Sequence, residues 1–490
     1  MALNTADPGT PDWFMSRLVT RILNNQARYD ELEDYTTGNH PFPSGDRRYV
    51  KALREFQKMC RTNYYGLVTM SPVERMKVNG MKFNDTNEGD KEAAAMWMAN
   101  DMDFQEAMIH LYAATFGDAF VLVSPPDEDS FGQPVFTMED PRMCGLEYDP
   151  VRPTRGIAGA KMWKDTYSER IVGVLYLPDA VAYYVGPKAE DLEDAYDVKT
   201  LTKRLTTFGD PNGFQLVDIQ PNSVGVVPLV RYAWNPSLNY TSLAEAESFN
   251  LKDVQDRINA TVLDRMIITR SQAYKQRWAS GITIPQGRQG QKKPPFDPGS
   301  DVLWVTETKE AKFGEFQEAD IRQILDAVQQ DVGDMAAISK TPPHYLLGKI
   351  VNASGDALKA SEAGLVSKTR LRMRSMGWSH EKITRIGFKY LGNSKYNQAA
   401  KTIWANPEEQ ATSSLADAGL KYTQMGIPLS LAMEKMEFTP EEIAFAVAEK
   451  KKADAREAAL MAISGAQGGA GAKPSSGTGR SNSGAPIKKP

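Results

Sequence analysis

Along this chain, apolar residues recur every three or four positions in several long stretches and alternate in shorter ones. The expected fold class is therefore α+β, mainly helical. The clearest helical stripes flank a Gly/Pro-rich insert. Residues 243–271 carry Val254, Ile258, Val262 and Met266 at helical spacing, with Leu251, Leu263 and Ile267 beside them and charged residues on the other faces. Residues 318–340 repeat the pattern through Ile321, Ile324, Leu325, Val328, Val332, Met335 and Ile338. Pro342-Pro343 ends that stripe, because proline lacks an amide donor and clashes with the preceding turn. Between the stripes, residues 281–285 and 301–305 read as short strands around the loop QGRQGQKKPPFDPGS, residues 286–300, which composition makes solvent-facing. A small polar loop at 348–355 then leads into a basic helix bearing Lys359, Lys368, Arg370, Arg372 and Arg374. A charge run on a helix is ordinarily a solvated face, and that is the expectation for most of these side chains.

The N-terminal third reads as helices over 13–35, 47–61, 91–100 and 104–116, the last running through Gly117 into a buried strand, AFVLV. Residues 130–235 alternate β-rich runs with turns, at 135–138, 160–163, 171–177 and 226–232. Beyond 406, helices are expected at 407–425, 429–436 and 440–463. The last is rich in Ala, Glu and Lys, as an exposed or self-associating helix would be. From residue 465 the chain is almost wholly Gly, Ala, Ser and Pro with Lys473, Arg480, Lys488 and Lys489. Such a stretch buries too little to offset its ordering entropy, and disorder is expected.

At 490 residues the chain is too long for one core, which points to two to four domains. The net charge of −4 weighs against tight general binding to nucleic acid, and the basic tail leaves the rest of the chain more acidic still. No apolar run is long enough to cross a bilayer, and no secretory pattern opens the chain. Cys60 and Cys144, far apart, suggest a reducing compartment without a disulfide framework, so the sequons at Asn239, Asn259 and Asn352 are chance matches. Chemistry is scarce. His40, His110, His344 and His380 lie in separate segments without metal-ligand spacing, LLGKI lacks the rest of a phosphate-binding loop, and no nucleophile elbow occurs. Carboxylate pairs such as Asp101/Asp103 and Glu441/Glu442 have capping or solvation as sufficient reason. We expect no enzyme, no cofactor and no metal. The helix–insert–helix layout suits a part in a larger assembly, although two helices packed in an ordinary core would read the same way.

Several runs resemble the portal proteins of tailed bacteriophages, specifically the siphophage group of Gram-positive and actinobacterial hosts. They are LEDYTTGNHPFP at 32–43, RTNYYGLVTMSPVERMKVNGMKF at 61–83, GDAFVLVSP at 117–125, QAYKQRWASGI at 272–282 and ISKTPPHYLLG at 338–348. The resemblance spans about residues 15–450 and its motifs fall in order. It implies a ring, commonly of twelve subunits, at one capsid vertex of the virion. Double-stranded DNA is packaged through it by the terminase and later ejected, and head-completion or adaptor proteins attach to it. The major capsid protein and scaffold would be further partners, with no membrane involved. It further implies a wing at 1–240, stem helices at 241–271 and 318–340, a clip at 272–317, a tunnel loop at 341–356, a long wing helix at 357–394 and a crown at 395–464, followed by the tail at 465–490. On that layout Lys349, Asn352 and Ser354 are the expected DNA-channel residues, and Arg288, Lys292 and Lys293 the expected partner contacts of the clip. A lining of few cations suits DNA that must slide, since each neutralised phosphate adds affinity. The alternatives are a nucleic-acid-processing enzyme with a dispersed site, or a minor capsid or scaffold-type protein without a channel.

Overall fold

The computed structural model describes residues 7–42, 58–84, 89–190, 198–208, 213–236, 242–273, 277–282, 309–315, 320–348, 355–408, 412–436, 438 and 440–467. The chain divides into two compact units, Met1–Glu409 and Gln410–Pro490.

In the first unit, α1 (Pro11–Thr37) starts where Thr10 Oγ1 accepts the Trp13 amide and Pro11 fills the first turn. It stops at Gly38 in the left-handed region. Its stripe of Met15, Leu18, Val19, Ile22 and Leu23 lies on a five-stranded antiparallel sheet. That sheet consists of β4 (Cys144–Tyr148), β5 (Gly156–Lys164), β6 (Arg170–Tyr176), β7 (Ala180–Lys188) and β8 (Gln215–Pro221), adjacent in that order. Ala158, Ala160, Leu175, Ala182 and Tyr184 face the helix, and the alternation along these strands follows from side chains pointing to opposite faces. The short α5 (Val198–Leu205) adds Leu205 to the same cluster.

A second core forms around a three-stranded sheet, β3 (Val135–Glu139), β2 (Asp118–Ser124) and β9 (Leu229–Ala233), in the order β3-β2-β9. β2 is buried along almost its whole length because helices cover it. α3 (Lys91–Ala99), α4 (Met102–Phe116) and the 36-residue α9 (Gly355–Tyr390) contribute Met96, Ile109, Ala113, Met376, Ile383 and Phe388 to this core. β1 (Val78–Phe83) pairs antiparallel with β12 (Ala400–Trp404), setting Phe83 opposite Ala400. This pairing ties residues beyond 395 into the first unit, and the second compact unit begins at 410.

The two strong stripes are helices. α6 (Lys252–Ala273) begins nine residues later than its pattern suggested, after an isolated bridge between Asn235 and Glu245 and a 3-10 turn at Phe249–Leu251. α7 (Ile321–Ser339) ends at Lys340 in the left-handed region, and the prolines start a one-turn helix, α8 (Pro343–Leu347). Between α6 and α7, β10 (Arg277–Ser280) pairs antiparallel with β11 (Lys312–Glu315). The strands expected within 283–285 and 301–305, and most of the helix expected at 47–61, lie outside the described residues. The helix α2 (Tyr64–Val73) and strands β1, β4, β7, β8 and β12 were not foreseen.

The second unit holds α10 (Thr412–Gln424), α11 (Leu429–Lys435) and α12 (Pro440–Gln467). Through residues 448–461 every side chain of α12 is exposed.

Candidate functional site

The six residues marked from the sequence, Lys349, Asn352 and Ser354 of the loop and Arg288, Lys292 and Lys293 of the insert, all lie outside the described residues. What the structure describes is the scaffold from which both segments spring. At its root, Ile258, Val262 and Leu263 of α6 meet Val332, Met335 and Ala336 of α7 over Tyr65 and Val68 of α2. A polar seam lies beside this apolar root. Asn259, fully buried, accepts the amide and hydroxyl of Thr62 through Oδ1, both at 3.0 Å, and its Nδ2 lies 2.5 Å from His40 Nε2. Gln255 accepts the Tyr65 amide at 3.0 Å, and Tyr35 donates to Asp256 at 2.8 Å. A buried side-chain amide is tolerable only when so partnered. Burial also closes Asn259 to glycosylation.

At the root Arg257 also bridges to Asp331 at 2.9 Å and Asp334 at 3.3 Å, pairs whose arginine is half exposed and which are worth about 0.2–1 kcal/mol. An open groove of about 330 Å³ runs between Ile267 and Ile268 of α6 and Ile324 and Ala327 of α7. Leu325 is 39% exposed.

Ion networks lie in the described elements before and after residues 349–354. Upstream, Tyr345 of α8 accepts from Arg75 at 2.5 Å, and Arg75 also pairs with Glu362 of α9 at 3.1 Å. Downstream, Lys368 and Arg372 of α9 converge on buried Glu247, at 2.7 and 3.1 Å. Glu247 also accepts the Trp234 indole N–H at 2.7 Å, and Lys368 donates to the Ser339 carbonyl at the end of α7 at 2.8 Å. Burial lowers the Lys368 pKa, and the Glu247 carboxylate opposes that shift. The expectation of a solvated basic face is therefore corrected for these two residues, while Lys359, Arg370 and Arg374 are exposed. Their spacing carried the signal: 365, 368, 369, 372 and 376 form one helical stripe, shared with buried Leu365, Thr369 and Met376.

The motifs singled out in the sequence meet in these contacts. Arg75 belongs to one run and Tyr345 to another. In the GDAFVLVSP run, Gly117 has φ +88°, and a Cβ there would collide with the Ala244 carbonyl; the following Asp118 pairs with buried Arg231 at 2.6 Å. Gly66 likewise admits the Thr36 carbonyl where a Cβ would stand.

Sequence reasoning also missed a histidine pair. His110 and His380 meet at 3.0 Å between their Nε2 atoms, and His380 Nδ1 lies 3.0 Å from the Tyr232 hydroxyl. Burial lowers both pKa values, that of His110 to about 3, so both rings are neutral at ordinary pH. Nearby, burial raises Glu106 to about 8. Among the described residues no group of three or more His, Cys, Asp or Glu could hold a metal ion, Cys60 and Cys144 are free and buried, and no helix is long and apolar enough to cross a membrane. Nothing in this arrangement points to catalysis.

The family model "Phage portal protein, SPP1 Gp6-like" matches residues 17–459. The chain belongs to the phage portal protein family. Two curated portal proteins are similar over most of their length. That of Mycobacterium phage D29 is 24% identical over 420 residues, covering 82% of this chain and 80% of the relative. That of Mycobacterium phage L5 is 25% identical over 429 residues, covering 84% and 82%. Portals are structural components of the virion, with a general role in the passage of DNA into and out of the head. The missing nucleotide motif accords with membership of a structural family.

Proposed function

We propose that copies of this portal close into a ring of twelve at one capsid vertex, with duplex DNA passing along the axis. Residues 1–240 and the helix over 357–394 form its wing, 241–271 and 318–340 its stem, 272–317 its clip and 341–356 its tunnel loop. The crown starts at 410 on this reading, because β12 holds the preceding residues to β1. The tail follows at 465–490. The observation that supports the ring best is the helix pair. Among the described residues its buried contacts lie at the root, and its outer half has Leu325 39% exposed beside an open apolar groove. A head-to-tail contact repeated by rotation would cover those faces with neighbouring copies.

Lys349, Asn352 and Ser354 then make transient phosphate contacts. Arg288, Lys292 and Lys293 meet the terminase large subunit during packaging and head-completion or adaptor proteins afterwards. The major capsid protein and scaffold surround the ring in the shell. The networks through Arg75 and Glu247 support this use of the loop, because they tie both its ends to the stem root. The test is to replace all three loop residues with alanine and measure assembly, DNA packaging and DNA retention. Rings should form as before, with packaging or retention reduced. Unchanged packaging and retention would remove the loop assignment.

A further inference from the structure

Two surfaces of the first unit are complementary in charge. The first is a cavity of about 680 Å³ between the end of α9, the turn joining β4 to β5, and residues 225–227 before β9. Arg152, Arg155, Lys382, Arg385 and Lys389 line it, and none of the five has a carboxylate within ion-pair distance among the described residues. Glu381 is its one lining carboxylate and accepts the Thr402 amide at 3.1 Å. The walls are partly aromatic: Lys382 lies over the Trp378 ring at 5.2 Å, and Lys389 over Tyr396 at 5.2 Å. Five cations set against one carboxylate leave the pocket with an excess of positive charge, so it favours an anionic occupant.

The second surface is the loop joining β2 to β3, Pro-Pro-Asp-Glu-Asp-Ser-Phe-Gly at 125–132. Asp127, Glu128 and Asp129 are exposed, and Phe131 is 86% exposed. The loop is braced. The Asp127 amide donates to Ser130 Oγ at 2.9 Å, Ser130 Oγ donates back to the Asp127 carbonyl at 3.1 Å, and the Asp129 amide donates to Asp127 Oδ1 at 3.2 Å. Phe131 sits at φ +53°, a conformation bulky residues seldom adopt, with its ring in solvent. A strained backbone that presents an aromatic ring to water beside three carboxylates has the form of a plug awaiting a socket.

We propose that this loop of one copy seats in the basic pocket of the next, the three carboxylates meeting Arg152, Arg155 and Arg385 and Phe131 meeting the aromatic wall. The inference rests on the ring reading above and deepens it by naming one contact between copies. Topology supports it. The loop leaves β2 at Ser124, and pairing of Leu122 with Leu229 sets the residues before β9 at that same end of the sheet. In the order β3-β2-β9 the loop runs toward one edge strand and the pocket wall enters the other. Both elements therefore lie at one level of the sheet, as a head-to-tail contact repeated around a ring requires.

The experiment uses two full-length variants, one with Asp127→Lys, Glu128→Lys and Asp129→Lys, the other with Arg152→Glu, Arg155→Glu and Arg385→Glu. Sedimentation velocity reads ring against monomer, and thermal melting checks the fold. Each variant alone should shift from the ring to the monomer peak. Their mixture should recover rings, because every junction in an alternating ring again joins opposite charges. Phe131→Ala, which removes no packing within the copy, should also shift material toward monomer. Variants that assemble alone like the unaltered chain would overturn the contact while leaving the ring reading intact, as would a mixture that fails to recover. Pocket-reversed rings that assemble normally but lose duplex DNA would assign the pocket to phosphate and equally overturn the proposal. An unaltered chain that never forms rings would contradict the underlying reading, and this contact with it.

Discussion

The core around the three-stranded sheet and the outer half of the helix pair are built on opposite terms. In the core, even charges have partners inside the copy: Asp118 holds Arg231, and Glu247 holds Lys368 and Arg372 beneath Trp234. In the outer helix pair, an apolar groove is open and Leu325 is 39% exposed. A monomer would gain stability by covering that groove. Under the proposed ring, the difference teaches that the core serves the single copy and the helix pair its neighbours.

Substitutions in the two regions should therefore separate folding from assembly. The largest effect on folding is expected from Glu247→Ala, which strands two buried cations. A loss of about 3–5 kcal/mol should appear in chemical denaturation of the full chain. Gly117→Ala should follow at about 1–3 kcal/mol, since its backbone is left-handed and the Ala244 carbonyl occupies the space a methyl needs. A loss below 0.5 kcal/mol for either would break the contrast by showing that the core relaxes freely.

Glu106 gives a pH-dependent version. Its folded pKa, near 8, lies above the unfolded carboxylate value, so the folded state holds a proton that the unfolded state has released. Stability from this group is present below about pH 4.5 and is lost as pH rises toward 8. Glu106→Gln should flatten that decline, raising stability at pH 8 by on the order of 1–3 kcal/mol relative to the parent. Melting curves at pH 5 and pH 8 read the difference, and parallel curves for parent and variant would contradict the assignment. The histidine pair acts on the other side. The His110 pKa, near 3, means that the unfolded state takes up protons first, so stability falls as pH drops from about 6.5 toward 3.

The smallest effect on folding, under about 0.5 kcal/mol, is expected from Leu325→Asp, because the side chain is already 39% exposed. The same substitution should abolish ring formation in sedimentation. A variant that melts early yet assembles would reverse the comparison.

The sequence carried the elements whose periodicity was undiluted. α1, α7 and α9 fell within a few residues of their apolar stripes, and Pro342 and Pro343 marked the end of α7. α6 began late because residues 243–251 are apolar for a different reason: they bury Ala244, Ala246 and Leu251 in an irregular segment ending in a 3-10 turn. β7 and β8 were missed because β7 runs into Gly186-Pro187, which read as a turn, and β8 is exposed throughout. The junction at Glu247 was hidden by chain distance, since its cations come from more than 120 residues away. The buried role of Lys368 and Arg372 was legible from their stripe but outweighed by the usual fate of charge on helices. For the loop and insert the sequence remains the sole basis of the six assignments.

The measurement that bears most directly on the central claim is electron microscopy of the purified, untagged chain, with class averages viewed end-on. A closed ring with a central hole wide enough for duplex DNA, its inner wall built from the α6–α7 pair, is the predicted result. A dispersed monomer at high concentration, or a ring whose inner wall is formed by the five-stranded sheet, would contradict it.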